Sequence, residues 1–464
     1  MLRSIGSVTF LALLMVACGG GGGSASSPPP PPLTNGYTVG GTVSGLQGSG
    51  LTLVTCSPHF GGYTTHGGGC TTHGELQIGA NGAFTLDSAY PAGPLGDYVV
   101  ITNQPSSPTQ NCVISNAKVS SQNANDNGVT VSCATFLYVT NAADNTLSSY
   151  SVDAATGALT VIGTPTATGA SPHAIFGFQY PPGEDRRYVF VGNEGSNDVS
   201  AFSVNNTTGA LTAVPGSPFA AGTDPQAMAF DGSSLYVANT GSDNVSVYNI
   251  DVNTGTLAEP STFATGKNPT SIVIGGSNAS FFYVANHGGS NDISAFSYPD
   301  LTPVPGSPFS AGGNPLGLVV GAGGKFLYTA NPDATNPSIS GFSIDPTTGA
   351  LSALSGSPFS LPVSHYMATD QTGAYLYVTS GASIVGYGID ATTGALTALP
   401  GFPVAAGANA YSITIDPANQ FLYVANDGAA NVTGFTLDAS TGALTPMPDS
   451  PFPAGNRPDF LATF

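Results

Sequence analysis

The sequence predicts an all-β chain: a seven-bladed β-propeller closed by a C-terminal innermost strand, preceded by a small Ig-like β-sandwich. Three observations carry this reading. Glycine (62) and proline (37) punctuate the 464 residues with turns and leave little room for helix. A hexapeptide of aromatic and aliphatic residues ending in a turn residue recurs seven times after Cys133. A strand-like segment is left over at the C-terminus, and one is missing at the start of the repeats.

Residues 1–18 read as an export signal, with Arg3 ahead of an apolar run from Ile5 to Val16 that is too short to span a membrane. The run ends in Leu14-Met15-Val16-Ala17-Cys18, which resembles a lipobox and implies lipidation at Cys18. Residues 19–35 hold Gly19 to Gly23 and Pro28 to Pro32, a tether of mixed stiffness without core-forming residues. The expected location is the cell envelope, with the body held on the outer membrane by its lipid anchor, facing either the periplasm or the medium.

Residues 36–133 alternate in about six short strands separated by turn clusters such as Gly79-Ala80-Asn81-Gly82. They are read as the sandwich, a spacer resembling Ig-like or carboxypeptidase-regulatory-like modules. Four cysteines, Cys56, Cys70, Cys112 and Cys133, fall in this segment and suit two disulfides in an oxidising compartment. The favoured pairing is Cys56–Cys70 and Cys112–Cys133. Cys56-x-x-His59 and Cys70-x-x-His73 also have the ligand types of a tetrahedral zinc site, and this alternative stays open. The expectation is nevertheless no metal and no cofactor.

From residue 134 to 464 the marker hexapeptides begin at Phe136, Tyr188, Ser234, Phe281, Phe326, Tyr375 and Phe421. Their third residues lie 45 to 52 apart, the length of one four-stranded blade. Each marker is strand B of its blade, with strand A before it and strand C after it. A turn of the type Asp345-Pro346-Thr347-Thr348-Gly349 leads into strand D and recurs at Asp153, Asp390 and Asp438. No strand A precedes Phe136, so Asp459 to Phe464 should complete blade 1 and remove two open edges.

Charge limits the partners. Only 7% of residues are charged and the net charge is −19, with seven Lys and Arg in all, so nucleic acid is excluded. A monomer is expected. Propeller topology puts the D–A and B–C connections on one face around the channel. His173, Asp224, Lys267, His365 and Arg457 lie in or beside D–A loops, and Glu194, His287 and Asp427 in B–C loops. Arg186, Arg187 and Lys325 fall in A–B turns on the far face. Histidines and cations clustered on one rim suit anion binding and general-base chemistry.

The Tyr-Val-Thr/Ala-Asn markers resemble YVTN-type surface propellers. With the D-x-x-T-G-x-L turn, they resemble the lactonase family, which includes 6-phosphogluconolactonases and carboxymuconate cyclases. That resemblance spans residues 134–464 and implies a catalytic His and Glu in one blade, matched here by His173 and Glu194. Pro172 stands where the family tends to have arginine, and Gly195 where it tends to have leucine. Lys267, His287, His365, Arg457, Asp224 and Asp427 are candidate binding residues around them. The reading preferred on sequence is a surface-anchored binding module for a protein, glycan or small molecule. The alternative is a lactonase-like hydrolase of a small ring ester.

Overall fold

The computed structural model describes residues 38–58, 70–87, 98–106, 110, 112–115, 118, 126–179, 186–276, 279–333, 336–361 and 366–464. The signal, Cys18 and the tether lie outside these residues, as do His59 and His365. The side chains of Cys70 and His73 are likewise not described.

The N-terminal segment forms two sheets. One orders Gly82–Asp87, Thr38–Ser44, Asp126–Ser132 and Val113–Ser115; the other orders Cys70–Ile78, Leu51–Pro58 and Tyr98–Asn103. Val39, Phe84 and Val131 of the first sheet share one core with Leu51, Leu53 and Val99 of the second. Thr38–Ser44 pairs parallel with Asp126–Ser132. Cys112 and Cys133 are joined by a disulfide, and Cys56 is disulfide-bonded as well.

Seven four-layered blades follow, in the order A-B-C-D from the channel outward. Strands B are Thr135–Asn141, Arg187–Asn193, Ser234–Asn239, Phe281–Asn286, Phe326–Asn331, Tyr375–Ser380 and Phe421–Asn426, the seven markers. Blade 1 takes its innermost strand from Pro458–Thr463, which pairs antiparallel with Thr135–Asn141. The ring is therefore closed as the spare C-terminal segment predicts. Strand D departs from the simple reading, because in most blades it is two short pieces. In blade 2, Leu211–Ala213 pairs with one end of strand C and Phe219–Ala220 with the other.

Two sequence signals turn out to be partners. The marker tyrosine donates to the backbone carbonyl of the turn glycine in the next blade: Tyr138 to Gly209 (2.8 Å), Tyr283 to Gly349 (2.8 Å), Tyr328 to Gly394 (2.7 Å), Tyr377 to Gly442 (2.8 Å) and Tyr423 to Gly157 (2.7 Å). These tyrosines are fully buried, so each adds roughly 1.5–3 kcal/mol of burial and a satisfied hydroxyl. Gly394 has a φ of 71°, and a Cβ there would lie 2.6 Å from Phe326. Only glycine meets both demands.

The marker asparagine is a second clamp. Asn193 Nδ2 reaches Asp198 (2.6 Å) and Ser200 (2.9 Å) on strand C, and Asn141, Asn239, Asn286 and Asn426 do the same in their blades. In the turn before strand D, Asp345, Asp390 and Asp438 accept backbone hydrogen bonds that hold their carboxyls below the usual range. Asp438, bonded first by the Ser440 hydroxyl, is brought to about 2.

The N-terminal sheets dock on the turn end of blades 1 and 2. Gln47 donates to Asp153 (2.9 Å) and accepts from the Ala154 amide (2.7 Å), and Ser132 donates to the Asn206 carbonyl (2.5 Å). Arg187, which sequence places on a far-face turn, is only 2% exposed. It donates to the Ala134 carbonyl (3.0 Å) and lies over the rings of Phe136 and C-terminal Phe464. Its long apolar stem and delocalised charge suit that buried junction.

Candidate functional site at the channel mouth

The rim is built from one repeated device. The residue just before strand A is left-handed in five blades: Ser171, Asp224, Asn268, Asn409 and Arg457, with φ between 49° and 62°. Its carbonyl accepts the amide of the residue after the marker asparagine: Glu194 to Ser171, Thr240 to Asp224, His287 to Asn268, Asp427 to Asn409 and Ala142 to Arg457. Each B–C loop is thereby tied over the start of its own strand A.

The second residue of the A segment then meets the channel. A β-bulge falls there in blades 1, 2, 3, 4 and 7 and re-aims the side chains. Around the ring this column reads Asp459, His173, Gln226, Thr270, Leu316, Tyr366 and Tyr411. Threonines of the preceding blade fix its backbone. Thr140 donates to the His173 carbonyl (3.1 Å), and Thr379 to the Tyr411 carbonyl (2.7 Å).

Blades 1, 2, 6 and 7 contribute to the cluster around His173, which is 5% exposed. Its Nδ1 lies 3.3 Å from Asp459 Oδ2, a carboxylate that is itself buried. Its Nε2 is buried without a hydrogen-bond partner among the described residues. Phe460 packs edge-on against the imidazole at 4.7 Å, with Tyr411 at 6.1 Å. Tyr366 packs on the same Phe460 (4.6 Å) and Tyr411 (5.1 Å), and its buried hydroxyl also lacks a well-formed partner. Burial, with the Tyr411 phenol beside it, holds the Tyr366 phenol far above its ordinary value.

Glu194 joins this cluster. Partial burial first, and then the Asp224 carboxylate beside it, push its carboxyl above the usual range, while His173 opposes the shift. Arg457 bonds Asp427 through Nε (3.1 Å), and Asn409 donates to the other Asp427 oxygen (2.7 Å). The structure therefore brings together His173, Glu194, Asp224, Asp427 and Arg457 of the residues singled out by sequence. Lys267 and His287 belong to blade 4, where Lys267 packs by Gly289. Among the described residues no hydrogen bond or ring contact links either to His173. His365 lies outside the described residues, although Tyr366 beside it is in the cluster.

Sequence reasoning passed over Asp459, Phe460, Tyr366 and Tyr411. Asp459, Tyr366 and Tyr411 share with His173 the second position of the A segment, a variable residue that follows proline in five blades, and Phe460 is the residue after Asp459. Among the described residues, no group of three or more His, Cys, Asp or Glu is arranged to hold a metal ion, and no helix is long and apolar enough to cross a membrane.

The model of a family described as "Lactonase, 7-bladed beta-propeller" matches residues 107–219, 183–274 and 367–457. No curated protein matches the chain. A candidate 6-phosphogluconolactonase from Bacteroides fragilis is 20% identical, covering 71% of this chain and 98% of its own, with a TM-score of 0.60. A second, from Bacteroides uniformis, is 18% identical over 71% and 99%, again at 0.60. A periplasmic gluconolactonase from Pseudomonas aeruginosa is 17% identical over 71% and 99%, with a TM-score of 0.56. At these identities the likeness is one of fold.

Proposed function

The chain belongs to the lactonase family of seven-bladed β-propellers, and on that premise we propose that its channel mouth hydrolyses an uncharged ring ester, with His173 as general base. The carrying observation is the buried His173, bonded to Asp459 through Nδ1 and unpaired at Nε2. Asp459 accepts a hydrogen bond from Nδ1–H, which leaves the Nε2 lone pair as the proton acceptor for the attacking water. That water attacks the ester carbonyl and gives its proton to Nε2. The ring carbon–oxygen bond then breaks, and the proton passes to the leaving oxygen to complete the hydroxy acid. Tyr366 is the donor suited to the developing oxyanion. Glu194, protonated to a higher pH than an ordinary glutamate, is a second proton source.

An uncharged substrate fits the electrostatics. Glu194, Asp224, Asp427 and Asp459 make the rim acidic, and Arg457 is engaged by Asp427. With Pro172 in place of the family arginine and Arg457 held by Asp427, a phosphorylated substrate finds no unengaged cation in the cluster around His173. The second reading, a binding module without turnover, is favoured by that same engagement of Arg457. Anchoring through Cys18 is part of the proposal. The N-terminal sheets dock at the turn end of the blades, so a tether from them would leave the rim facing away from the membrane.

The test is a panel of neutral γ- and δ-lactones offered to the purified chain, with rates corrected for hydrolysis in water. Turnover that disappears in Glu194→Gln and His173→Ala supports the hydrolase. Saturable binding without turnover supports the module instead.

A further inference from the structure

The two ends of the propeller meet in blade 1, and the N-terminal sheets sit on that meeting point. Strand B of blade 1, Thr135–Asn141, follows Asp126–Ser132 after only Cys133 and Ala134, and the C-terminal strand Pro458–Thr463 closes against it. Beyond that ladder Phe464 is buried and exchanges backbone hydrogen bonds with Phe136 (3.3 and 3.4 Å). Its ring stacks on Tyr138 at 5.6 Å, and a Cβ on Gly177 of blade 2 would lie 2.0 Å from it. Arg187 lies over the same ring and is held by the Ala134 carbonyl. The closing strand therefore ends wedged between blades 1 and 2, at the domain junction.

A spacer needs a single attachment, whereas the N-terminal sheets reach two blades, each at a joint. Gln47 bonds Asp153 and Ala154 in the turn of blade 1 whose Gly157 carbonyl takes the Tyr423 hydroxyl of blade 7. Ser132, fully buried, bonds the Asn206 carbonyl in the turn of blade 2 whose Gly209 carbonyl takes the Tyr138 hydroxyl of blade 1. These are the joints on either side of blade 1. The contacts are braced from behind as well. The buried Gln110 side chain accepts from the Gln47 and Gly48 amides (both 2.7 Å) and donates to the Gly45 (2.7 Å) and Cys133 (3.0 Å) carbonyls. The Cys112–Cys133 disulfide fixes the same point. A junction held on that many sides resists the relative motion usual between domains.

We propose that the N-terminal sheets are a clasp on the closing seam of the ring: through Gln47 and Ser132 they hold blade 1 against blades 7 and 2, and so keep the C-terminal strand, with Asp459 at its rim end, seated beside His173. The clasp rests on the contacts above; what it does for turnover rests on the hydrolytic reading.

The experiment is amide hydrogen exchange of the full chain, resolved by peptide, in the wild type and in Gln47→Ala/Ser132→Ala, which leaves Phe464, Tyr138 and Arg187 in place. Amides of residues 461–464 should exchange about tenfold faster in the variant, as expected for losing junction hydrogen bonds of ordinary strength, with Phe281–Asn286 across the ring unchanged. Gln47→Ala alone, a change at an exposed side chain, should give the same shift in smaller degree in a chain whose folding is not at issue. Equal exchange in wild type and variants, or faster exchange spread evenly over the blades, would overturn the clasp. Lactone hydrolysis in urea separates the two readings. The double variant should lose turnover at a lower urea concentration than the one that unfolds its blades, because Asp459 leaves with the strand. Turnover lost only together with the blades would overturn the link to the site. No turnover in the wild type would remove the hydrolytic reading and leave the exchange result to decide the clasp.

Discussion

Within each blade, strand B repeats almost unchanged, whereas the residue that opens onto the channel from strand A differs in every blade but two. The reason is what each touches. Strand B packs on the neighbouring blade, and in five of the seven blades its tyrosine must find the turn glycine of that neighbour, so those copies face the same constraint; blade 2 has Phe190 at this place, and Tyr236 of blade 3 donates to Asp231 instead. The bulged start of strand A faces the channel, where packing imposes no common residue and the ring is free to hold Asp, His, Gln, Thr, Leu and Tyr. Constancy in this chain marks the frame, and variation within a constant setting marks the site.

That contrast is broken most strongly at a frame glycine. Gly394→Val puts a β-branched residue at a φ of 71° and a Cβ against Phe326. A loss of roughly 3–4 kcal/mol is expected in denaturant unfolding, with turnover per folded molecule unchanged. Next is the reverse case. Asp459→Asn keeps the shape but no longer fixes the His173 tautomer. Turnover should fall about 100-fold, equivalent to about 2.7 kcal/mol in the barrier, with the melting curve little moved.

Smaller effects sharpen the same distinction. Tyr328→Phe removes one hydroxyl from the frame and leaves the Gly394 carbonyl buried without its donor, for about 1–2 kcal/mol in unfolding. Glu194→Gln acts through linkage. The Glu194 carboxyl is raised in the folded state, so between the ordinary glutamate value and the raised one the folded chain holds a proton that the unfolded chain has released. Stability therefore falls as pH rises through that window. The Gln variant escapes the fall, and a Tm gain of roughly a degree or two is expected at neutral pH, with none at pH 4.

The fold was legible because its determinants repeat. Seven markers count the blades, and the spare segment ending at Phe464 gives the closure. The tyrosine–glycine partnership was not legible, since it joins residues such as Tyr328 and Gly394 in different repeats. Nor was the burial of Arg187, whose sequence position at an A–B turn says nothing of the Phe136 and Phe464 rings around it. The site was half legible. His173, Glu194 and Asp224 stood out by residue type on a predicted rim. Lys267 and His287 stood out equally, but the ring carries them to another blade. Asp459 and Phe460 were read only as part of the closing strand, and Tyr366 and Tyr411 carried no signal that singled them out. Ring closure brings residues 173 and 459 together, and no local pattern encodes that distance.

The most direct test pairs activity with stability in one variant, His173→Gln. Lactone hydrolysis and the unfolding transition of the purified chain are measured beside the wild type. The account requires wild-type turnover above the rate in water, a loss of at least 100-fold in the variant, and an unfolding transition that survives. Equal turnover in the two proteins would contradict it, because the chemistry would then lie outside the variable column that His173 occupies.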